Sequence, residues 1–218
     1  MDLLGLFAKW PHSGQVKTRL AATVGTTFAQ RIAEAFLRDS LLRYNSLSDF
    51  RVVLFSPPEC ENSFAELIPS TWQLWPQGEG DLGDRLERFF RGAFQQGADR
   101  IVALGADSPT LPVEYVRRAF DLLSASDIVI GPACDGGYYL IGLSSCLTSV
   151  FVNIPWSQPT VLRQTVARVG NRRLALLPVW YDVDTVQDLE MLHGHIAAYQ
   201  LAQTPIDFPN TARLLEEL

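Results

Sequence analysis

The chain has 218 residues, 47% of them hydrophobic and 19% charged, with a formal net charge of −6. That length and apolar content allow a sizeable core and exclude a disordered chain. The acidic balance argues against binding to nucleic acid, which needs excess Lys and Arg. Cys60, Cys134 and Cys146 form no CxxC and no Cys/His cluster with zinc spacing, so reduced thiols and a cytoplasmic setting are expected. The apolar start, residues 1–8, carries Asp2 where a signal peptide would be basic, and no apolar run is long enough to span a membrane.

Residues 3–8 read as a first buried strand. The next segment, 9–20, contains Lys9, Lys17 and Arg19, one Gly (Gly14), Pro11 and no acid. Placed after a strand, its cations and backbone amides suit phosphate oxygens. An ordinary solvated loop with Arg19 paired to a carboxylate is the competing reading. The order of residues from Gly14 to Lys17 is not that of a P-loop. Residues 27–44 carry Phe28, Ile32, Phe36, Leu37 and Leu41 at helical spacing. Strands are expected over 51–55 and 71–75, with a short helix between them over 63–67. The two Trp of the second strand read as packing residues.

Residues 78–83 spell GxGxxG between a strand and a helix over 84–96. In a dinucleotide site such glycines admit a pyrophosphate. Here Glu79 and Asp81 would repel it, and the motif is not in the first strand–helix turn. A loop against a base or ribose fits better, with Gly80, Asp81 and Gly83 lining it and the carboxylate accepting from hydroxyl or amino groups.

The run 100–104 is rich in strand formers and leads into Gly105-Ala106-Asp107-Ser108-Pro109. The Pro ends the strand, which places Asp107 at its carboxyl end, the edge where open α/β sheets bind ligands. Asp107 is either a ligand for a hard divalent cation or a turn residue capping the helix over 112–123. A strand over 127–130 then meets a Gly-rich turn, where Asp135 either faces a ligand or shapes a hairpin. Tyr138 and Tyr139 alternate faces, so at most one points at a site. Residues 154–160 form a Pro-punctuated loop before a helix over 161–169, and 173–177 is a last strand. Asp182 and Asp184 lie two apart in an extended segment and so share a side. They suit a metal, or Asp184 or Thr185 caps the helix over 186–199. A terminal helix is expected over 211–217. His193 and His195 fall late in a helix, where its dipole suffices to explain them.

Six segments in order, FAKWPHSGQVKTRL, GEGDLGDRL, GADSPTLP, GPACDGGYYLIGL, IPWSQPTVL and YDVDTVQDL, resemble the bacterial GT-A-type glycosyltransferase-like family linked to radical-SAM partners and arsenosugar biosynthesis. More distantly they are similar to 2-phospholactate and molybdenum-cofactor guanylyltransferases. The resemblance covers nearly the whole chain. It implies a single nucleotide-diphospho-sugar transferase domain over 1–218: a three-layer α/β/α sandwich with a mostly parallel, Rossmann-like sheet. The chain departs from the family pattern at Ala106, where Ser or Thr is usual, and at Ser157-Gln158, where Ser-Thr is usual.

These readings lead to a transferase with a nucleotide or nucleotide-sugar donor and a small-molecule acceptor. Asp107 is expected to hold Mg²⁺ or Mn²⁺ with Asp182 or Asp184. Lys9, Gly14, Lys17 and Arg19 are expected on the phosphates, with Lys17 neutralising charge in the transition state. Asp135 is expected on the acceptor side, as general base or second ligand. Glycosyl transfer is the first expectation and nucleotidyl transfer the alternative. A non-catalytic nucleotide-binding protein is the third.

Overall fold

Strand β1 (Asp2–Lys9) lies third in one seven-stranded sheet, and its neighbours decide where the chemistry lies. The structure is a computed structural model and describes residues 1–14 and 16–216. The expected end of the last helix, at 217, lies outside the described residues. The strand order is β3 (Gln73–Pro76), β2 (Phe50–Ser56), β1, β4 (Arg100–Gly105), β6 (Tyr138–Leu143), β5 (Ile128–Pro132) and β7 (Leu174–Leu176). All neighbours pair parallel except β6, which runs antiparallel to β4 and β5. The mostly parallel three-layer architecture expected from sequence is therefore present.

Side chains alternate between two apolar layers because strand residues alternate faces. Leu4, Leu6 and Ala8 of β1, with Val102 and Leu104 of β4, face one layer. Helices α2 (Thr26–Arg43), α3 (Glu61–Leu67) and α5 (Val113–Leu122) cover it with Leu37, Leu41, Phe64, Val116 and Phe120. Leu3, Ile101 and Ala103 face the other, under α4 (Leu82–Gln95) with Leu86, Phe89 and Phe90. Each fully buried Leu or Phe contributes about 1.5–3 kcal/mol by leaving water. Gly5 makes room on that face: a Cβ there would sit 2.3 Å from the Phe89 ring. After α6 (Val161–Ala167) come α7 (Val186–Leu201) and α8 (Pro209–Leu215), which a third cluster joins to α1 (Thr18–Val24) and α2 through Leu20, Phe36, Leu192 and Leu214.

Most elements shift by one or two residues from expectation, and three differences have a visible cause. The segment after the basic loop is itself a short helix, α1, split from α2 by Gly25 at φ 85. β3 starts at Gln73, because Trp72 closes a turn by donating to the Pro69 carbonyl at 2.9 Å. The helix after the GxGxxG run begins earlier, at Leu82, because Asp81 caps it. The turn between β5 and β6 is a hairpin turn, as its competing reading had it.

β1 and β4 are parallel neighbours, with Phe7 opposite Gly105. Their carboxyl ends therefore emerge side by side, and the loops after them, 10–17 and 106–112, leave from one sheet edge. The segment after β7 returns to the same edge. Trp180 bridges in parallel to Ala133 beside β5, and the Val183 amide donates to the Asp107 carbonyl at 3.0 Å.

Candidate functional site at the carboxyl edge of the sheet

A cavity of about 780 Å³ opens at this edge. The extended segment Tyr181-Asp182-Val183-Asp184 forms one wall. Tyr181 and Val183 are buried in the third cluster, so Asp182 and Asp184, on the alternate positions, face the cavity. Four cations (Lys9, Lys17, Arg19, Arg85) and four carboxylates (Asp81, Asp107, Asp182, Asp184) are the charged groups lining it among the described residues.

Lys17 sits at the centre of this arrangement. Its backbone is left-handed, φ 47 and ψ 40, at the position that caps α1. A residue with a Cβ adopts that conformation at a cost of about 1–2 kcal/mol. Its side chain is only 3% exposed, and its ammonium contacts Asp107 and lies 3.1 Å from Asp184 and 5.4 Å from the centre of the Phe36 ring. Burial alone would lower the Lys17 pKa, but the two carboxylates outweigh it and raise it. Arg19 holds the second oxygen of Asp184 at 2.8 Å. Burial would raise the Asp184 pKa, yet Lys17 and Arg19 pull it below the usual range.

Asp182 differs from Asp184. It is half-buried, accepts a hydrogen bond from the Ser108 hydroxyl, and its pKa is pushed up to about 6. Burial is the largest cause, and the neighbouring Asp107 adds to it against the Ser108 bond and Lys17. Asp107 keeps 55% of its side chain exposed. A hydroxyl is usual in the resembled family at the position of Ala106. Here Ser108, two residues on, supplies the hydroxyl contact at the acids.

The remaining expected residues divide. Lys9 ends β1 and lines the cavity, as do Gly80 and Asp81. Asp81 also accepts from the Asp84 amide at 3.0 Å, while Asp84 accepts from the Asp81 amide. Asp81 of the GxGxxG run and Asp84 just after it thus form a capping box, which satisfies orphan amides at the start of α4. Gly83 is a packing residue inside α4: a Cβ there would lie 2.8 Å from the Phe151 carbonyl and from Trp156 Nε1. Gly14, at φ 75, and Asp135 are also not among the residues lining the cavity. Asp135 closes the hairpin turn by accepting from the Gly137 amide at 2.8 Å. That turn is packed on the 154–160 loop, since a Cβ at Gly136 would meet the Pro159 carbonyl at 2.2 Å.

Sequence reasoning missed Arg85 and Gln77. Arg85 donates to Gln77 Oε1 at 2.9 Å and to the Gly80 carbonyl at 3.1 Å. Gln77 in turn donates to the carbonyls of Ala8 and Leu54, at 3.1 and 2.7 Å, pinning the loop to β1 and β2. The signal for Arg85 was its place in the first turn of a helix that opens at the ligand edge. Tyr138 and Tyr139 do go to opposite core layers, but both line the cavity, where at most one was expected at the site. The Tyr139 hydroxyl is already used, donating to the Pro178 carbonyl at 2.9 Å. His195 has a more specific role than a helix dipole: its Nδ1 lies 2.8 Å from the Tyr181 hydroxyl.

A sheet of this order, with charged groups converging at its carboxyl edge, has the fold found in nucleotide-diphospho-sugar transferases. The chain matches, over residues 39–158, the family described as "Uncharacterized protein conserved in bacteria (DUF2064)", and it belongs to that family. A crystal structure from Desulfovibrio desulfuricans G20, described as a candidate nucleotide-diphospho-sugar transferase, is 34% identical. The match covers 99% of this chain and 94% of that one, with a TM-score of 0.88. A nucleotidyl transferase from Methanothermobacter thermautotroptrophicus shares the fold at 14% identity, covering 89% and 97% of the two chains with a TM-score of 0.60. So does Rv0371C of Mycobacterium tuberculosis H37Rv in complex with manganese, at 14% identity, 88% and 98% coverage and a TM-score of 0.51. No curated protein matches the chain. Among the described residues, no helix is long and apolar enough to cross a membrane.

Proposed function

We propose that the protein is a transferase that binds a nucleotide-diphospho-sugar at this edge and passes the sugar to a small-molecule acceptor. The observation that carries this reading is the meeting of Lys17 and Arg19 with Asp107, Asp182 and Asp184 in one cavity. The lining charges balance, so a divalent cation would leave an excess of about two positive charges. That matches the roughly two negative charges of a sugar nucleotide better than the roughly four of a nucleoside triphosphate.

The donor set fits Mg²⁺ or Mn²⁺ in a restricted sense. Among the described residues, no group of three or more His, Cys, Asp or Glu is arranged to hold a metal. Mg²⁺ commonly takes one or two carboxylates and completes its shell with phosphates and water. Half-exposed Asp107, with Asp184 or Asp182, suits that mode. When bound, the ion supplies charge neutralisation for the departing diphosphate. Lys9, Arg19 and Arg85 hold phosphate oxygens, and Lys17 adds a buried cation to the same field. Gly80 and Asp81 bound the base and ribose. Asp135, on the hairpin turn outside the cavity lining but near enough for its charge to act on Asp182, takes the acceptor proton as general base for an acceptor bound on that side.

Nucleotidyl transfer is the second reading, favoured by the two exposed cations, Lys9 and Arg19, after β1. The link to radical-SAM partners and arsenosugar chemistry rests on the sequence motifs. A thermal-shift panel of sugar nucleotides and nucleoside triphosphates, with Mg²⁺ or Mn²⁺, tests both, since a ligand selective for the native state raises Tm. A sugar nucleotide should raise Tm only with the metal, and Asp107→Ala should abolish the effect. Equal shifts with and without metal in both proteins would overturn the metal-dependent reading. A larger response to a triphosphate, with pyrophosphate released on adding a phosphorylated acceptor, would select the second.

A further inference from the structure

The carboxylates assigned to a metal already hold a cation. Lys17 Nζ contacts Asp107 and lies 3.1 Å from an oxygen of Asp184, while Arg19 holds the other oxygen of that carboxylate. We propose that Lys17 is a resident counter-ion that competes with free divalent metal for Asp107 and Asp184, so that the site admits the metal together with a diphosphate and resists the metal alone. This rests on the donor-site reading above and assigns it an order of binding.

The physics is a comparison of partners. A metal arriving alone would have to displace a buried ammonium whose other close neighbour is the Phe36 ring. That ammonium would lose both of its contacting carboxylates and keep only the more distant Asp182, which is costly for a buried charge. The left-handed backbone at Lys17 and the 3% exposure of its side chain restrict its retreat to water. A metal arriving with a diphosphate brings anionic oxygens that give Lys17 a new partner, as the acids turn to the metal. Metal and diphosphate then each raise the affinity for the other by the same factor.

The chain contains two lysines, Lys9 and Lys17, which makes the test clean. Mn²⁺ and inorganic pyrophosphate serve as probes, so the unknown base and sugar do not enter. Lys17→Met should bind Mn²⁺ alone about tenfold or more tighter than wild type, because two carboxylates lose their competitor. It should bind the Mn²⁺–pyrophosphate complex about tenfold more weakly than wild type. That crossover is the signature. Should the variant not fold, ¹⁵N-lysine NMR of the Lys9→Arg protein reports on Lys17 alone. Its side-chain signal should move with Mg²⁺ plus pyrophosphate and stay put with Mg²⁺ at the same concentration. Equal Mn²⁺ affinities of wild type and Lys17→Met, or a Lys17 signal that moves with Mg²⁺ alone, would overturn the competition and leave the donor site standing. Failure of wild type to bind the metal–pyrophosphate complex would overturn both.

Discussion

Asp182→Asn should make the protein more resistant to unfolding at neutral and alkaline pH, although it removes a charge from the candidate site. Asp182 has a native pKa of about 6 against an ordinary 3.8, chiefly because it is buried. The native state therefore holds the Asp182 proton more tightly than the unfolded chain. The stability this contributes is complete below about pH 4 and is lost as pH rises through about 6. A displacement of about two pH units is worth about 3 kcal/mol. Asn has no proton to lose, and its side-chain carbonyl can still accept from the Ser108 hydroxyl, so the variant should lack this pH dependence. Urea unfolding in chelator from pH 4 to pH 8 measures it. The stability of Asp182→Asn minus that of wild type should grow by about 2–3 kcal/mol across the range, mostly between pH 4 and 6. Carboxylates remote from the site cancel in that difference. A difference constant across the range would refute the reasoning, and with it the picture of a half-buried carboxylate held beside Asp107. Ser108→Ala offers a check of direction: without the bond that favours the charged form, the Asp182 pKa should rise further.

Gln77→Leu should cost about 1–3 kcal/mol in urea unfolding, since the Ala8 and Leu54 carbonyls lose its donor. It should also lower the Tm shift produced by a bound nucleotide, because Arg85 loses its partner at 2.9 Å. Gly5→Ala should cost about 1–3 kcal/mol, because the new methyl meets a Phe89 ring packed against Phe7 and Phe90. Gly92→Ala, in the same helix as Phe89 and with nothing within 4 Å of its Cβ, should instead stabilise by up to about 1 kcal/mol. The two glycine variants measured together separate space from helix propensity.

The strands of the sheet centre were readable because buried parallel strands are continuous apolar runs bounded by breakers, as at 3–8 and 100–104. Strand order was not, since pairing is non-local: nothing near β6 says that it inserts antiparallel between β4 and β5. The two-residue spacing of Asp182 and Asp184 foretold a shared face. The structure adds that the face exists because Tyr181 and Val183 are drawn into an apolar cluster behind it. The Asp81-x-x-Asp84 spacing carried a capping signal that the louder GxGxxG pattern obscured.

Lys17 shows where local reading stops. In sequence it is one of three cations in an acid-free loop, free to meet phosphate. In the fold a left-handed backbone turns it inward, and the acids it meets are 90 and 167 residues away along the chain. The convergence expected from a strand-end argument does occur, but between opposite charges that already satisfy one another. An ordinary phosphate-binding loop would gain from removing the acids. Here removing Asp184 would take one of two carboxylates from a buried ammonium and loosen Arg19 at once. The acids and the basic loop are one electrostatic unit, and neither half can be altered as if it were a separate subsite.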